Sequence, residues 1–206
     1  MEIYPIPISK FINMQNEIIK KFKVHIVFII ILVGLTIFNF LKYKNKNTTF
    51  SQSIYNKIYS LTASQTLDGS TFPITKIQET ITGEIKLTQF DSLTLVILLS
   101  NQGCHPCQLR ELINIKKFLQ YGSINALAIY SNNYNEKEAL GLKKMSRITF
   151  PIFYSLSDQI NDFNFTNNYP IILIIEKQRI ISSLVAIPLD DNYSQNYFSI
   201  LRKKIY

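Results

Sequence analysis

Apolar residues along this chain follow four patterns, and each pattern predicts a different kind of element. From Val24 to Leu41 the run VHIVFIIILVGLTIFNFL carries no formal charge; as a helix it would extend about 27 Å, just enough to cross a hydrocarbon layer. The run Leu93-Thr94-Leu95-Val96-Ile97-Leu98-Leu99 is also nearly unbroken but short, the pattern of a strand covered on both faces of a sheet. Partial alternation over residues 72–77 and 84–87, each behind a turn signal (Asp68-Gly69-Ser70 and Thr82-Gly83), predicts a β-hairpin. A helical rhythm takes over at Pro106 and continues to Leu119, with Leu109, Leu112, Ile113, Ile115 and Phe118 as its apolar face and Tyr121-Gly122-Ser123 ending it.

The remaining segments continue the alternation. Strands are expected at 124–130 and at 149–154, the second opened by Phe150-Pro151, with a helix at 136–145 between them. After Tyr169-Pro170 come an apolar strand at 171–175, a polar turn at Glu176-Lys177-Gln178, a second strand at 180–186 and a helix at 191–204, so the last two strands should pair as a hairpin. This order predicts one α/β domain over 67–206, with a central mixed sheet flanked by helices and an N-terminal β-hairpin extension. Ahead of it stand a short segment at 1–23, the apolar run at 24–41, and a polar linker with a lead-in helix at 54–61 that together fill 42–66. There is no internal repeat and no low-complexity block.

Composition narrows the class. The 206 residues are 47% apolar and 17% charged, with only 6 Gly and 7 Pro, which excludes a disordered or collagen-like chain. A formal net charge of +8 would suit a nucleic-acid binder if the charge were gathered on one element. It is not: Lys20, Lys21 and Lys23 precede the apolar run, Lys42, Lys44 and Lys46 follow it, and Arg202 to Lys204 lie near the end. Lysines on both borders of an apolar segment are headgroup anchors, so the charge argues for a bilayer and against nucleic acid. The flanks Asn39-Phe40-Leu41-Lys42-Tyr43-Lys44 lack the small residues of a cleavage site, and an uncleaved single-pass anchor is expected. His25 and Asn39 sit near the ends of the span, where polar groups reach the interface.

The two cysteines of the chain are three residues apart, in Cys104-His105-Pro106-Cys107, at the predicted strand-to-helix junction. A thiol at the first turn of a helix meets unpaired N–H groups and the positive end of the helix dipole, both of which favour thiolate. Pro106 fits an opening turn, where its missing N–H costs nothing. Cys107 falls on the same side of the helix as Cys104, so the pair reads as a redox-active dithiol/disulfide in which Cys104 attacks and Cys107 resolves. A protonated His105 would favour the Cys104 thiolate further and push the couple towards oxidising potentials. A fixed structural disulfide, a zinc or copper site including His105, and a pair of buried free thiols are the alternatives. Zinc is disfavoured because a closed site wants four ligands and the other histidine is His25, in the apolar run. Haem attachment needs a histidine directly after the second cysteine, where Gln108 stands.

The stretch from about Leu67 to Ala186 resembles the thioredoxin-like domains of the membrane-anchored TlpA and ResA type, relatives of the peroxiredoxin-like redoxins. Four marks carry the likeness: Gly69-Ser70-Thr71-Phe72-Pro73-Ile74, the strand running into Cys104-His105-Pro106-Cys107, Phe150-Pro151-Ile152, and Tyr169-Pro170-Ile171. The resemblance implies a thioredoxin-like fold preceded by one transmembrane helix. It also implies a cis Pro170 against the disulfide and a Tyr169 whose backbone pairs with substrate. It implies thiol-disulfide exchange with envelope proteins and a redox partner protein, no cofactor beyond the Cys104–Cys107 disulfide, and a catalytic domain outside the cytoplasm, in the periplasm. Three positions depart from the pattern: Gly103 replaces the usual aromatic before the first cysteine, Leu98 the acidic residue of thioredoxins proper, and Tyr169 a small or β-branched residue. A peroxidase would carry Thr or Ser three residues before its reactive cysteine and Pro four before that, where this chain has Asn101 and Ile97. The rival from another class is a redox-silent or metal-holding thioredoxin-like binding module.

Overall fold

The computed structural model describes residues 31–40, 42, 54–132, 135–161, 163, 168–188 and 190–206. Two compact units are distinguished, Met1–Ser53 and Ile54–Tyr206. Of the expected membrane span, residues 24–30 and 41 lie outside the described residues; residues 31–40 are helical, and Ile31, Leu32, Val33, Leu35, Ile37, Phe38 and Phe40 are exposed. No helix among the described residues is long and apolar enough to cross a membrane.

The second unit is a seven-stranded sheet with helices on both faces. In chain order it has α1 (54–67), β1 (Lys76–Glu79), β2 (Ile85–Leu87), β3 (Thr94–Ser100), α2 (His105–Leu119), β4 (Asn125–Asn132), α3 (Glu136–Ser146), β5 (Ile152–Ser155), a single 3₁₀ turn at Asp158–Ile160, β6 (Ile171–Glu176), β7 (Arg179–Val185) and α4 (Asp191–Ile205). The strands lie in the order β2-β1-β5-β4-β3-β6-β7. β3 runs parallel to β4, starting from Thr94 opposite Asn125, and antiparallel to β6, with Thr94 opposite Ile175. β4 and β5 are parallel, and β1–β2 and β6–β7 are antiparallel pairs.

All seven residues of β3 are buried. Alternation of side chains divides them: Leu95, Ile97 and Leu99 join one cluster, Val96 and Leu98 the other. The first cluster is closed by Leu112, Ile115 and Phe118 of α2, Ala139 and Leu142 of α3, and Phe198 and Leu201 of α4. The second is closed by Ala63 and Leu67 of α1 together with Phe72, Phe90 and Ile160. A strand with helices on both sides has no polar face to show, which is why its sequence is an unbroken apolar run.

Three boundaries differ from the sequence expectation by three residues or more, each for a local reason. α1 continues to residue 67 where an end near Leu61 was expected, because its inward face is half polar. Ser60, Ala63, Ser64 and Leu67 are all buried, with the Ser60 hydroxyl donating to the Val185 carbonyl and the Ser64 hydroxyl accepting from the Val185 N–H at 3.3 Å. Those serines satisfy the free edge of β7, a role that hydrophobic periodicity does not reveal. β1 begins at Lys76, since Phe72 is drawn into the core between the rings of Phe90 and Phe163, 5.8 and 5.5 Å away. β5 begins at Ile152, after Pro151, which has no N–H for the ladder but whose carbonyl accepts from Ala128 at 3.0 Å.

Candidate active site

The chain leaves the buried β3 at Ser100, makes one tight turn, and starts α2 at His105. Cys104 is the N-cap of that helix: its backbone is extended, its carbonyl accepts from the Gln108 N–H at 3.0 Å, and its Sγ accepts from the Cys107 N–H at 3.3 Å. The two cysteines form a disulfide with their Cα atoms 5.2 Å apart. Cys104 is partly exposed, whereas Cys107 is only 4% exposed. Cys104 is therefore the member of the pair that reaches solvent, and Cys107 is the buried one. The first turn of α2 contains no acidic residue, so nothing within the helix offsets its positive end.

The other residues expected at the site fall into two groups. His105 and Pro106 are on the outer side of the first turn of α2, with Pro106 exposed; the His105 Nδ1 lies 3.5 Å from the Glu138 Oε1 at the start of α3. Tyr169, partly exposed, and Pro170, buried, belong to the segment leading into β6. That segment reaches the first cysteine through the carbonyl of Asn168, which accepts from the Cys104 N–H at 2.7 Å. The resemblance implies a cis Pro170, whereas the residues alone favour trans; there is no cis peptide bond among the described residues, and the Tyr169–Pro170 bond is trans. The trans form is the lower in energy for X–Pro bonds, and here it leads directly into a regular strand, with the Pro170 carbonyl accepting from Ala186 at 3.0 Å.

Sequence reasoning missed four residues around this site. Asn168 contributes only a backbone carbonyl, which no side-chain pattern can announce. Gln108 is 1% exposed and sits under the turn, donating from Nε2 to the Ser100 carbonyl at 2.6 Å. Glu138 enters the sequence reading only as part of the helix at 136–145. Glu111 is fully buried one turn beyond Cys107, where Ser194 Oγ and Arg110 Nε each donate to its Oε1 at 2.8 Å and Asn114 Nδ2 to its Oε2 at 3.3 Å. Arg110 continues the network to the Asp191 Oδ1 at 3.0 Å and the Ile187 carbonyl at 2.7 Å. The buried face of α2 is thus Cys107, Gln108, Glu111, Leu112, Asn114, Ile115 and Phe118, while Leu109 and Ile113 are only partly buried. The spacing 107-111-114-118 is helical, but a reader scanning for apolar residues passes over it.

No protein-family model matches the chain, and no curated protein matches it in sequence. Its architecture is similar to the crystal structure of peroxidoxin BcpB from Mycobacterium tuberculosis, at 8% identity and a TM-score of 0.51, covering 68% of this chain and 97% of that one. It is also similar to the solution structure of a thioredoxin-like protein from Porphyromonas gingivalis, at 13% identity and a TM-score of 0.50, covering 68% and 96%. A thiol:disulfide interchange protein DsbE from Chlorobium tepidum aligns at 11% identity and a TM-score of 0.49, covering 66% and 96%. At these identities the likeness is one of fold: the unit has a thioredoxin-like α/β fold. Within it, Cys104 and Cys107 occupy the junction of β3 and α2 at disulfide distance.

Proposed function

We propose that this chain is a membrane-tethered thiol-disulfide oxidoreductase that exchanges disulfides with envelope proteins through Cys104 and Cys107. The observation that carries the reading is the asymmetric disulfide at a helix N-terminus, with a partly exposed Cys104 and a buried Cys107 whose N–H points at the Cys104 sulfur.

In the reducing direction, the Cys104 thiolate attacks one sulfur of a substrate disulfide and a substrate thiolate leaves, giving a mixed disulfide. The Cys107 thiolate then attacks the Cys104 Sγ, the second substrate thiolate leaves, and the Cys104–Cys107 disulfide closes. Two electrons pass to the substrate, and protons from solvent neutralise its thiolates. The oxidising direction is the same pair of steps reversed. The N–H of Cys107 and the N-terminal end of α2, which has no acidic residue in its own first turn, favour the Cys104 thiolate in either direction. His105 and Pro106 tune that thiolate, and the backbone of Tyr169 beside Pro170 pairs with the substrate chain. The disulfide itself is the only redox group required. A redox partner protein resets it, the apolar run 24–41 anchors the chain as a single-pass protein, and the domain works on the periplasmic side.

The test is insulin reduction and thiol oxidation by the full chain in detergent micelles. Cys104→Ser should abolish exchange, and Cys107→Ser should accumulate mixed disulfides, because the first thiol still attacks and nothing resolves the product. Mass spectrometry of the trapped species names the substrates. Absent exchange, or exchange indifferent to Cys104→Ser, sinks the reading in favour of a binding module with a fixed disulfide.

A further inference from the structure

Gly103 is glycine for reasons of space. Its φ is not among the positive ones, which belong to Gly69 and Gly83, so backbone freedom is not what it supplies. A Cβ at this position would stand 2.6 Å from the Gln108 Nε2, 3.0 Å from the Ser100 carbonyl oxygen and 3.4 Å from the Asn168 carbonyl oxygen. The first of these distances is too short for any real contact, and the obstructing atom belongs to a side chain that is itself 1% exposed.

That side chain is held from one end only. The Gln108 amide nitrogen donates to the Ser100 carbonyl at 2.6 Å, sharing it with the Gly103 N–H at 3.0 Å, while the amide oxygen is buried with no hydrogen-bond partner among the described residues. Exchanging oxygen for nitrogen would aim a carbonyl oxygen at the Ser100 carbonyl oxygen, so the network fixes the orientation. A buried glutamine with half its capacity unused is a poor choice for stability alone. What it does is occupy the notch beneath the 100–104 turn. The same turn is held from the other side by the Asn168 carbonyl on the Cys104 N–H.

We propose that Gly103 and Gln108 form one positioning unit for the dithiol: the Gln108 amide props the turn from below, Gly103 leaves the room it needs, and Cys104 is thereby kept where its N–H meets Asn168 and its Sγ meets the Cys107 N–H. The proposal deepens the exchange reading and rests on it for its biological meaning. Its physical content is the reactivity of Cys104 and the equilibrium between dithiol and disulfide. Once the disulfide is reduced, the covalent link between residues 104 and 107 is gone and the turn keeps its place through these contacts.

The experiment is equilibration of the full chain, in detergent micelles, with glutathione: protein dithiol plus oxidised glutathione gives protein disulfide plus two reduced glutathiones. Alkylation and mass spectrometry read the equilibrium, and the rate of Cys104 alkylation reads its reactivity. Gly103→Ala should shift the equilibrium constant about tenfold, roughly 30 mV, and slow alkylation. Gln108→Ala should shift it less, about threefold, and the double variant should lie closer to Gln108→Ala than to Gly103→Ala, because the nearest obstruction is gone and the Ser100 carbonyl oxygen has only to give by a few tenths of an ångström. A purely structural role would lower the melting temperature in all three variants without returning the potential in the double. If Gly103→Ala fails to fold, rescue of folding in the double variant supports the unit. A double variant no better than Gly103→Ala, in folding or in equilibrium, overturns it. Glutathione requires no protein substrate, so normal equilibration with no insulin reduction would fail the exchange reading and still decide this one. A wild-type pair that dithiothreitol cannot reduce overturns both.

Discussion

Cys104 and Cys107 were legible in the sequence because spacing three residues apart on a helix is a geometric statement, and the structure joins them as a disulfide. Asn168 and Gln108 were not, since one acts through its backbone and the other through the shape of a notch. The same limit applies to Tyr197, an unremarked aromatic on α4. Its hydroxyl pairs with the Ser182 Oγ at 3.1 Å. Burial pushes the Tyr197 phenol well above its usual range, the Ser182 hydrogen bond offsets part of that, and the negative charge of Asp68 adds to it. A phenol held neutral in the folded state while the unfolded chain ionises near pH 10 gives stability that is complete below that pH. That contribution is lost as pH rises from the unfolded value towards the folded one. The melting temperature should therefore fall between pH 9.5 and 11, roughly the window of the unfolded phenol, and fall less in Tyr197→Phe. Parallel curves for the two proteins would contradict the assignment, and the remaining tyrosines cancel in the comparison.

Between elements, what binds α2 to α4 is both apolar and ionic. Phe118 meets Phe198 with ring centroids 5.4 Å apart, and the Arg110–Glu111 pair joins α2 to the first turn of α4 through Ser194 and Asp191. Because Glu111 is fully buried, removing its carboxylate takes the acceptor from Arg110 Nε, Ser194 Oγ and Asn114 Nδ2 together, while the rest of the Arg110 guanidinium keeps Asp191 and the Ile187 carbonyl. Glu111→Ala should destabilise the domain by about 3–5 kcal/mol, whereas Ser194→Ala, which removes one donor, should cost about 1 kcal/mol. Urea unfolding followed by circular dichroism measures both, and equal small losses would show that the pair contributes little. The hairpin between β6 and β7 shows the complementary case. Its polar turn was legible, yet Lys177 and Gln178 adopt positive φ of 47° and 65° without glycine. The Gln178 side chain explains the choice: its Oε1 accepts from the Phe90 N–H at 2.9 Å, and its Nε2 donates to the Phe72 and Thr88 carbonyls at 2.9 and 2.6 Å. Local turn chemistry yields there to a side chain that satisfies three backbone groups of another segment. Strand rhythm announced the strands, and the turn signals announced the pairs β1–β2 and β6–β7, but the rest of the order stayed hidden, because hydrophobic periodicity carries face and never neighbour.

At the scale of the whole molecule, the folded unit Ile54–Tyr206 and the lysine-bordered run ahead of it pose separate questions. The unit is closed by contacts of its own at the α1 end: Lys57 pairs with Asp190, the N-cap of α4, at 3.1 Å, and Ser183 Oγ donates to the Ser64 carbonyl at 2.9 Å. A chain lacking residues 1–53 should therefore melt within about 2 °C of the full one, on the argument that a single kilocalorie moves a domain of this size by only a few degrees. The same truncation should leave the membrane fraction, while the full chain stays with membranes through a carbonate wash; a full chain released by that wash would exclude a spanning anchor. Orientation is decided by a near tie: Lys10, Lys20, Lys21 and Lys23 precede the run, and Lys42, Lys44, Lys46 and Lys57 follow it. Positive flanks stay in the cytoplasm, so a tie is easily tipped. On the proposed periplasmic placement, a reporter fused after Tyr206 should read outside in the wild type. K20Q, K21Q and K23Q together should move a measurable fraction of it inside, because they leave Lys42, Lys44 and Lys46 as the stronger anchor. A reporter that reads inside from the start overturns the periplasmic placement. One that ignores the triple substitution shows that something other than these lysines orients the chain.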